Sequence, residues 1–365
     1  MQTFILVVSK MQKPLQYPTV HKALLYEKLS DDKVRCGLCE RRCVTSPGEK
    51  GFCKTRMNIN GKLYTLVYGA ISNLESRPIE IKPFFHYWPG STALTFSTWS
   101  CNFDCVWCQN YHLSKTEPEP AKSRYYSAEK IVEAALRERD DGLCASFQEP
   151  TILTDWVIPL FRTATAKGLY CCYVSNGYMT LEALRLLRDS GMDGLKIDVK
   201  GDDETYRKYC GGADVEKVWR NAREAKKMGF HVEIVNLVVT DVNDDEECLR
   251  WLIEKHLEET GTETPLHFTR YYPAYKFHNP TSKVETLEKA YEMAKKAGVL
   301  YPYLGNIQGH KYENTYCPNC GEKIIQRLGY RIIRYRVTDD KKCPKCGKSI
   351  PITGRHIRKW PSLFF

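Results

Sequence analysis

Three cysteines in one short stretch, Cys101, Cys105 and Cys108, have the type and spacing that could hold a metal centre. They follow an apolar run, 93–99, and are spaced C-x3-C-x2-C. Three neighbouring thiolates suit a [4Fe–4S] cluster, and because such a cluster has four irons, three ligands leave one iron open. An open iron can bind a substrate or a cofactor. The alternative is a structural zinc knuckle, for which His112 could supply the fourth ligand.

A second cysteine group lies near the start of the chain, at Cys36, Cys39, Cys43 and Cys53. The segment between the last two contains proline and glycine, which turn the chain back on itself. Four thiolates joined by such turns make a closed site, either for zinc or for an iron–sulfur cluster. Spacing alone does not choose between these metals.

A third group forms two C-x2-C knuckles near the end of the chain, at Cys317, Cys320, Cys343 and Cys346. A predicted hairpin, 324–337, separates them. This arrangement predicts a zinc ribbon, and rubredoxin-type iron is the main alternative.

Composition indicates a globular protein in a reducing compartment. The chain has 365 residues, 42% of them hydrophobic, which allows about two domains. No run approaches the roughly 18 apolar residues of a membrane span, and Phe4–Val8 is too short for a signal peptide, so we predict a strand there and a cytoplasmic location. Eleven of the 16 cysteines fall in the three groups, as expected for metal binding rather than disulfides. The other five are predicted to be buried core residues: Cys144, Cys171, Cys172, Cys210 and Cys248.

The net charge of +10 fits an acidic protein partner, an anionic cofactor or nucleic acid equally well. No block of consecutive Lys or Arg singles out nucleic acid. A zinc-ribbon nucleic-acid or assembly module is therefore the alternative to an enzyme, and nucleic acid is the less favoured partner.

Strand and helix patterns alternate regularly from residue 93 to residue 304. The predicted strands are Ala93–Trp99, Leu143–Phe147, Leu169–Val174, Gly194–Val199, His231–Val239, Leu266–Arg270 and Leu300–Leu304. Such alternation with short loops predicts an α/β fold with a parallel sheet, and the number of units favours a partial (β/α)6 barrel over a complete eight-unit barrel. A short helix is predicted at Thr19–Leu29. We expect an N-terminal four-cysteine region and linker at 1–90, the barrel at 91–310 and a zinc-ribbon domain at 311–365.

Polar residues occur at or just after the ends of the predicted strands. The candidates are Glu149, Ser175, Asn176, Asp198, Lys200, His267 and Arg270. Because reactive groups of parallel α/β barrels sit at the carboxyl ends of the strands, we expect these side chains to face one mouth together with the three-cysteine loop.

Several stretches together resemble a known family. They are Cys36–Cys39 through Gly51–Cys53, Pro78–Glu80 through His86–Ser91, Cys101–Asn110, Glu149–Ile152, Ser175–Tyr178, Gly305–Asn306 and Asn314–Cys320. The pattern resembles the radical S-adenosylmethionine (SAM) superfamily in its glycyl-radical-enzyme-activase branch, and more closely the AmmeMemoRadiSam system radical SAM enzyme. Ser100 and Arg77 depart from it, since the family usually has glycine and an acidic residue there.

The resemblance implies roles for the candidate residues. Cys101, Cys105 and Cys108 would bind three irons, and SAM would chelate the fourth. Glu149 stands at the end of the family's Gly-Gly-Glu motif and would accept a hydrogen bond from the SAM ammonium, whereas Phe147 and Gln148 replace the glycines. The ribose and carboxylate would be held by Ser175, Asn176, Asp198 and Lys200, and His267 or Arg270 would close the far side.

The resemblance also implies a reaction. An electron from ferredoxin or flavodoxin reduces the cluster, SAM is cleaved, and a 5′-deoxyadenosyl radical takes a hydrogen from a substrate. The activase branch suggests a protein or peptide substrate, and a small molecule is the alternative. Companion proteins of the AmmeMemoRadiSam system would be partners.

Overall fold

The computed structural model describes residues 13–358, so the strand predicted at Phe4–Val8 lies outside the described residues. The strands are β1 His21–Lys22, β2 Tyr26–Lys28, β3 Val34–Cys36, β4 Val44–Thr45, β5 Arg56–Ile59, β6 Lys62–Thr65, β7 Asn73–Pro78, β8 Thr92–Ser97, β9 Gly142–Ala145, β10 Tyr170–Ser175, β11 Gly194–Val199, β12 His231–Val238, β13 Leu266–Arg270, β14 Pro302–Gly305, β15 Thr315–Tyr316, β16 Lys323–Leu328 and β17 Arg331–Tyr335. The helices are α1 Tyr111–Ser114, α2 Ala128–Arg137, α3 Thr154–Thr165, α4 Leu181–Asp189, α5 Asp203–Tyr209, α6 Val215–Lys227, α7 Glu246–Thr260 and α8 Val284–Ala297.

One eight-stranded sheet organises the molecule, in the order β14-β13-β12-β11-β10-β9-β8-β7. The seven strands from β8 to β14 are parallel to their neighbours, and β7 joins the edge antiparallel to β8. The predicted parallel sheet is confirmed. In the described part of the chain β7 and β14 are the two edges, so the sheet is open and closure into a barrel is not shown.

The helices between these strands begin at side chains that cap them. Ser127 accepts a hydrogen bond from the backbone of α2, Thr180 from α4 and Asp245 from α7. Each cap satisfies a backbone N–H that has no partner within the helix. The caps therefore fix where each crossover turns back, and buried side chains such as Trp156 and Trp219 fill the layer between helices and sheet.

The helix predicted at Thr19–Leu29 is wrong, because this segment forms the short strands β1 and β2. β1 pairs with β6 and β2 pairs with β3. The backbone N–H of Leu24 donates to the Asp155 carboxylate at 2.7 Å. A helix this short is marginal on its own, so external partners for the backbone decide its conformation.

A buried carboxylate, Glu233 on β12, ties the segment before β8 to the inner face of the sheet. It accepts hydrogen bonds from the backbone N–H groups of Phe85 and His86, at 2.9 and 2.8 Å. Imidazole Nε2 atoms of His231 and His267 reach it at 2.9 and 2.7 Å. Burial alone would raise the pKa of Glu233, but the two histidines hold it well below its usual range. The inner layer thus rests on one ionised, fully partnered carboxylate.

The proposed division of the chain at residues 90 and 310 stays a prediction. β7 pairs with β8, so the central sheet begins before residue 91. After residue 310, β15, β16 and β17 form a separate antiparallel sheet. Arg327 of β16 is buried and donates to the Phe85 carbonyl at 2.8 Å, which joins this sheet to the inner layer.

We expect Glu233→Ala to lower the free energy of unfolding by about 3–5 kcal/mol, because it leaves four buried donors without their acceptor. Urea denaturation followed by circular dichroism measures the change. Glu233→Gln keeps one acceptor oxygen and should lose less. A loss below about 1 kcal/mol for the alanine variant would contradict this role.

Candidate active site at the carboxyl ends of the parallel strands

An open cleft lies where the parallel strands end, with about 1450 Å³ of free space counted out to solvent. Strands β9 to β13 or the loops that follow them all contribute residues to its wall. Of the predicted site residues, those that line it are Cys101, Cys105, Cys108, Glu149, Ser175, Asn176, Asp198 and Lys200. Residues more than 90 positions apart in the chain therefore share one cavity.

The three-cysteine loop follows β8 and is fixed by its first residue and by two aromatic anchors. Ser100 has a positive φ of 73°, where glycine is usual, and its hydroxyl donates to the Cys53 carbonyl at 2.6 Å. Its backbone N–H donates to the Leu113 carbonyl at 2.8 Å. Phe103 and Trp107 are buried, so the loop cannot turn its thiols away from the cleft without exposing both rings.

The protonation of these thiols is set by burial and by nearby cations. Burial raises the pKa of Cys101 well above its ordinary value. A hydrogen bond with Cys210, together with Lys200 and Lys115, lowers the pKa of Cys105 to about 7 despite its burial. Cys210 was predicted as a core residue and is buried, but it also touches this metal-ligand candidate.

Glu149 links two loops of the cleft wall through hydrogen bonds to both oxygens of its carboxylate. Its Oε1 accepts from the backbone N–H of Thr151 at 3.0 Å and from the Ser175 hydroxyl at 2.8 Å. Its Oε2 accepts from the backbone N–H of Asn176 at 2.7 Å. Burial raises the pKa of this carboxyl above its ordinary value. Glu149 therefore lies on the cleft wall, but mainly as a support for the loops after β9 and β10.

The two residues that replace the family's glycines behave differently. Phe147 adopts a φ of +73°, the left-handed conformation that a glycine would take, and its carbonyl accepts from Asn110 at 2.6 Å. Gln148 is 7% exposed, and neither its amide oxygen nor its amide nitrogen has a partner among the described residues. A buried amide without partners is costly, so this side chain is suited to a polar ligand in the cleft.

Three residues of β11 and its end form a charge ladder along the cleft. Lys196 and Asp198 are in direct contact, and the Lys200 ammonium lies 3.4 Å from the other Asp198 oxygen. Burial would raise the pKa of Asp198, but the two lysines hold it below its ordinary value. Sequence reasoning missed Lys196 and Gln148. The signal for Lys196 was its two-residue spacing to Asp198, because alternate strand residues share a face.

His267 or Arg270 was predicted to close the far side of the cleft, but neither is among the residues that line it. His267 lies lower on β13, fully buried against Glu233. Arg270 donates to the Ser282 carbonyl at 2.8 Å and stacks over Tyr272. Both side chains therefore bond to groups of the scaffold and not to the cleft: His267 to the buried Glu233 carboxylate, and Arg270 to a loop carbonyl. Thr269, between them, faces the cleft instead.

The C-terminal cysteines lie in the geometry of a single-ion site. All four sulfur atoms of Cys317, Cys320, Cys343 and Cys346 are within 4.8 Å of one another. Two Sγ–Sγ distances are 3.5 and 3.7 Å. A hydrogen bond from Asn319 lowers the pKa of Cys346 to about 6, which favours its thiolate. The predicted four-cysteine group is thus assembled.

The N-terminal cysteines, Cys36, Cys39, Cys43 and Cys53, line a separate cavity with about 420 Å³ of free space counted out to solvent. It has no lining residue in common with the cleft.

Comparison with known proteins places this geometry in a family. The family model for the radical SAM superfamily matches residues 97–252. An uncharacterized protein of Methanocaldococcus jannaschii is 40% identical over 336 residues, which are 91% of this chain and 99% of the relative. Residues 97–252 are therefore a radical SAM superfamily domain.

Two further likenesses are partial. A putative glycyl-radical enzyme activating enzyme of Haemophilus influenzae is 30% identical over 112 residues, 30% of this chain and 42% of that protein. The crystal structure of a domain of pyruvate-formate lyase-activating enzyme from Bacteroides vulgatus matches with a TM-score of 0.40 and 17% identity, over 45% of this chain and 99% of that one.

The cleft fits the cofactors that membership of the radical SAM superfamily implies. Three thiols on one loop suit an iron–sulfur cluster with an open iron. The amide of Gln148, which has no partner in the described part of the chain, and the cations of Lys196 and Lys200 suit a polar molecule that carries a carboxylate. Among residues 13–358, no helix is long and apolar enough to cross a membrane.

Ser100 should reveal how much backbone strain the radical SAM loop stores. We expect Ser100→Ala to be less stable than Ser100→Gly by about 1 kcal/mol, because alanine keeps the strained φ while both variants lose the bond to Cys53. Chemical denaturation of the two variants measures this difference. Equal stability would show that the positive φ carries no strain.

Removal of one C-terminal thiol should release one metal ion per chain. We expect Cys343→Ser to lose that ion and to unfold at a lower temperature, because three ligands hold it less tightly than four. Elemental analysis by mass spectrometry and thermal unfolding give the two readouts. Cys248→Ala, which removes a buried thiol away from all three groups, is the matched control and should keep the ion.

Proposed function

We propose that this radical SAM protein reductively cleaves SAM at a [4Fe–4S] cluster held by Cys101, Cys105 and Cys108. One observation carries the proposal: three thiols line the same cleft as the buried Gln148 amide, which has no partner within residues 13–358. Bound together, the cluster and SAM supply a 5′-deoxyadenosyl radical that takes a hydrogen atom from a substrate.

In this scheme the residues of the chain bind SAM and orient it. The amide of Gln148 would form hydrogen bonds with the amino and carboxylate groups of SAM. In family members that have glycines at these positions, the backbone makes this contact. Lys200 and Lys196 would neutralise the SAM carboxylate, while Asp198 would accept from ribose hydroxyls. Glu149 would hold the loops that carry Asn176 and Gln148 at the right distance.

We propose a protein or peptide as the substrate, with ferredoxin or flavodoxin as the electron donor. Exposed aromatic rings lie next to residues of the cleft wall: Tyr111, which follows Asn110, is 45% exposed, and Tyr272, whose hydroxyl donates to the Asn306 carbonyl at 3.2 Å, is 41% exposed. Tyr275 stacks on Tyr111. Exposed tyrosines are enriched where proteins contact partners. The likeness to a putative activating enzyme and to the AmmeMemoRadiSam pattern supports the same class and suggests the companion proteins of that system as partners. Zinc is the proposed ion of the C-terminal group.

Anaerobic reconstitution tests the reaction directly. With iron, sulfide, SAM and dithionite we expect 5′-deoxyadenosine and methionine, measured by liquid chromatography. Cys105→Ala should abolish both products while the protein stays folded, because it removes a cluster ligand. Cys171→Ala, a buried core thiol, should retain them. Full activity of Cys105→Ala would refute the proposal.

Gln148→Met should have two opposite effects. Without SAM the variant should be more stable by about 1 kcal/mol, because an unpaired buried amide is replaced by an apolar chain of similar length. With SAM its affinity should fall at least tenfold. Thermal unfolding of the reconstituted protein at increasing SAM concentrations measures both quantities. Unchanged affinity would remove Gln148 from the SAM site.

A further inference from the structure

The sulfur atoms of the N-terminal cysteines are spaced too widely for a single metal ion. Zn–S bonds of about 2.3 Å place tetrahedral sulfur atoms about 3.8 Å apart. The C-terminal group meets this, but among residues 13–358 no three of the N-terminal sulfurs lie within 4.8 Å of one another. They line one shared pocket instead, whose free space of about 420 Å³ is counted out to solvent. Wider thiol spacing around a cavity suits a multi-iron cluster, which is larger than one ion.

Hydrogen-bond donors lie on the wall of this cavity, close to its sulfur atoms. Asn102 is fully buried and lines it, and its amide nitrogen has no partner among the described residues. Arg56 is 2% exposed, and its Nη1 lies 3.9 Å from the Cys36 sulfur while its Nε is unpaired within residues 13–358. The backbone N–H of Phe52 donates to the Cys43 sulfur at 3.4 Å. Such donors stabilise the negative charge of thiolates and sulfides and tune a cluster's potential.

The cavity is separated from the cleft by very little protein. Ser100, directly before Cys101, donates to the Cys53 carbonyl at 2.6 Å. Asn102 follows Cys101, and its side-chain oxygen accepts from Asn176 of the cleft wall at 2.7 Å. Asn102 thus lines the N-terminal cavity and also bonds a residue of the cleft wall, so it connects the two sites.

We propose that Cys36, Cys39, Cys43 and Cys53 hold a second [4Fe–4S] cluster, on the route by which electrons reach the cleft. The relay role rests on the proposed function, whereas the metal assignment does not. One electron from a ferredoxin- or flavodoxin-class donor would pass through this site to the metal centre of the cleft, and the second cluster would return to its starting oxidation state.

Metal content of anaerobically reconstituted protein tests the assignment without any turnover. We expect about eight irons per chain in the native sequence and about four in the triple variant Cys101→Ala, Cys105→Ala, Cys108→Ala, which leaves the N-terminal site untouched. Mössbauer spectra of that variant should show a [4Fe–4S] cluster. A triple variant without iron but with two zinc ions would overturn the proposal, while SAM cleavage by the native sequence would still stand.

A double variant, Cys36→Ser with Cys39→Ser, tests the relay. It should lose about four irons and still cleave SAM with dithionite, a small reductant that enters the open cleft. With reduced flavodoxin as donor, we expect its rate to fall at least tenfold relative to the native sequence. Equal flavodoxin-driven rates would overturn the relay, and loss of cleavage with both donors in the native sequence would instead refute the proposed function.

Discussion

Parallel strands that share one sheet must end at the same edge, and this constraint organises the whole site. From β8 to β13 the chain reaches that edge at the end of every strand, so each strand delivers a loop to the same cleft. The cysteine loop, Gln148 and Asp198 come from three such strand ends. Their proximity costs no local strain beyond the positive φ of Ser100 and Phe147, because the sheet itself supplies the convergence.

Below the cleft, the inner face of the sheet carries polar and charged side chains that are buried. Glu233 accepts hydrogen bonds from two imidazoles and two backbone N–H groups. Lys196, beside Glu233 in the register of β11 and β12, pairs with Asp198. Ionised groups so placed persist when every partner is present, and they make the layer specific in its geometry. The floor of the cleft is thus a preorganised electrostatic surface rather than a plain apolar core, which suits a site for charged cofactors.

Sequence patterns located the strands and the three cysteine groups because these depend on local spacing and periodicity. They failed where a partner distant in the chain decides the outcome. The segment at Thr19–Leu29 is extended because β6 and Asp155 take up its backbone groups. His267 was assigned to the cofactor because a polar residue near a strand end looks functional, but Glu233 on the neighbouring strand binds it.

By itself, the amino-acid sequence determined the alternating α/β pattern, the clusters of thiols and the polar residues after the strands, since each depends only on residues close together in the chain. Tertiary structure alone decided which of those residues meet. It left Gln148 without a partner among the described residues and bound the Glu149 carboxylate to three residues. It also spread the N-terminal sulfurs around a cavity while gathering the C-terminal ones. The reason is that hydrogen bonding and burial depend on distances between remote segments, which spacing along the chain does not encode.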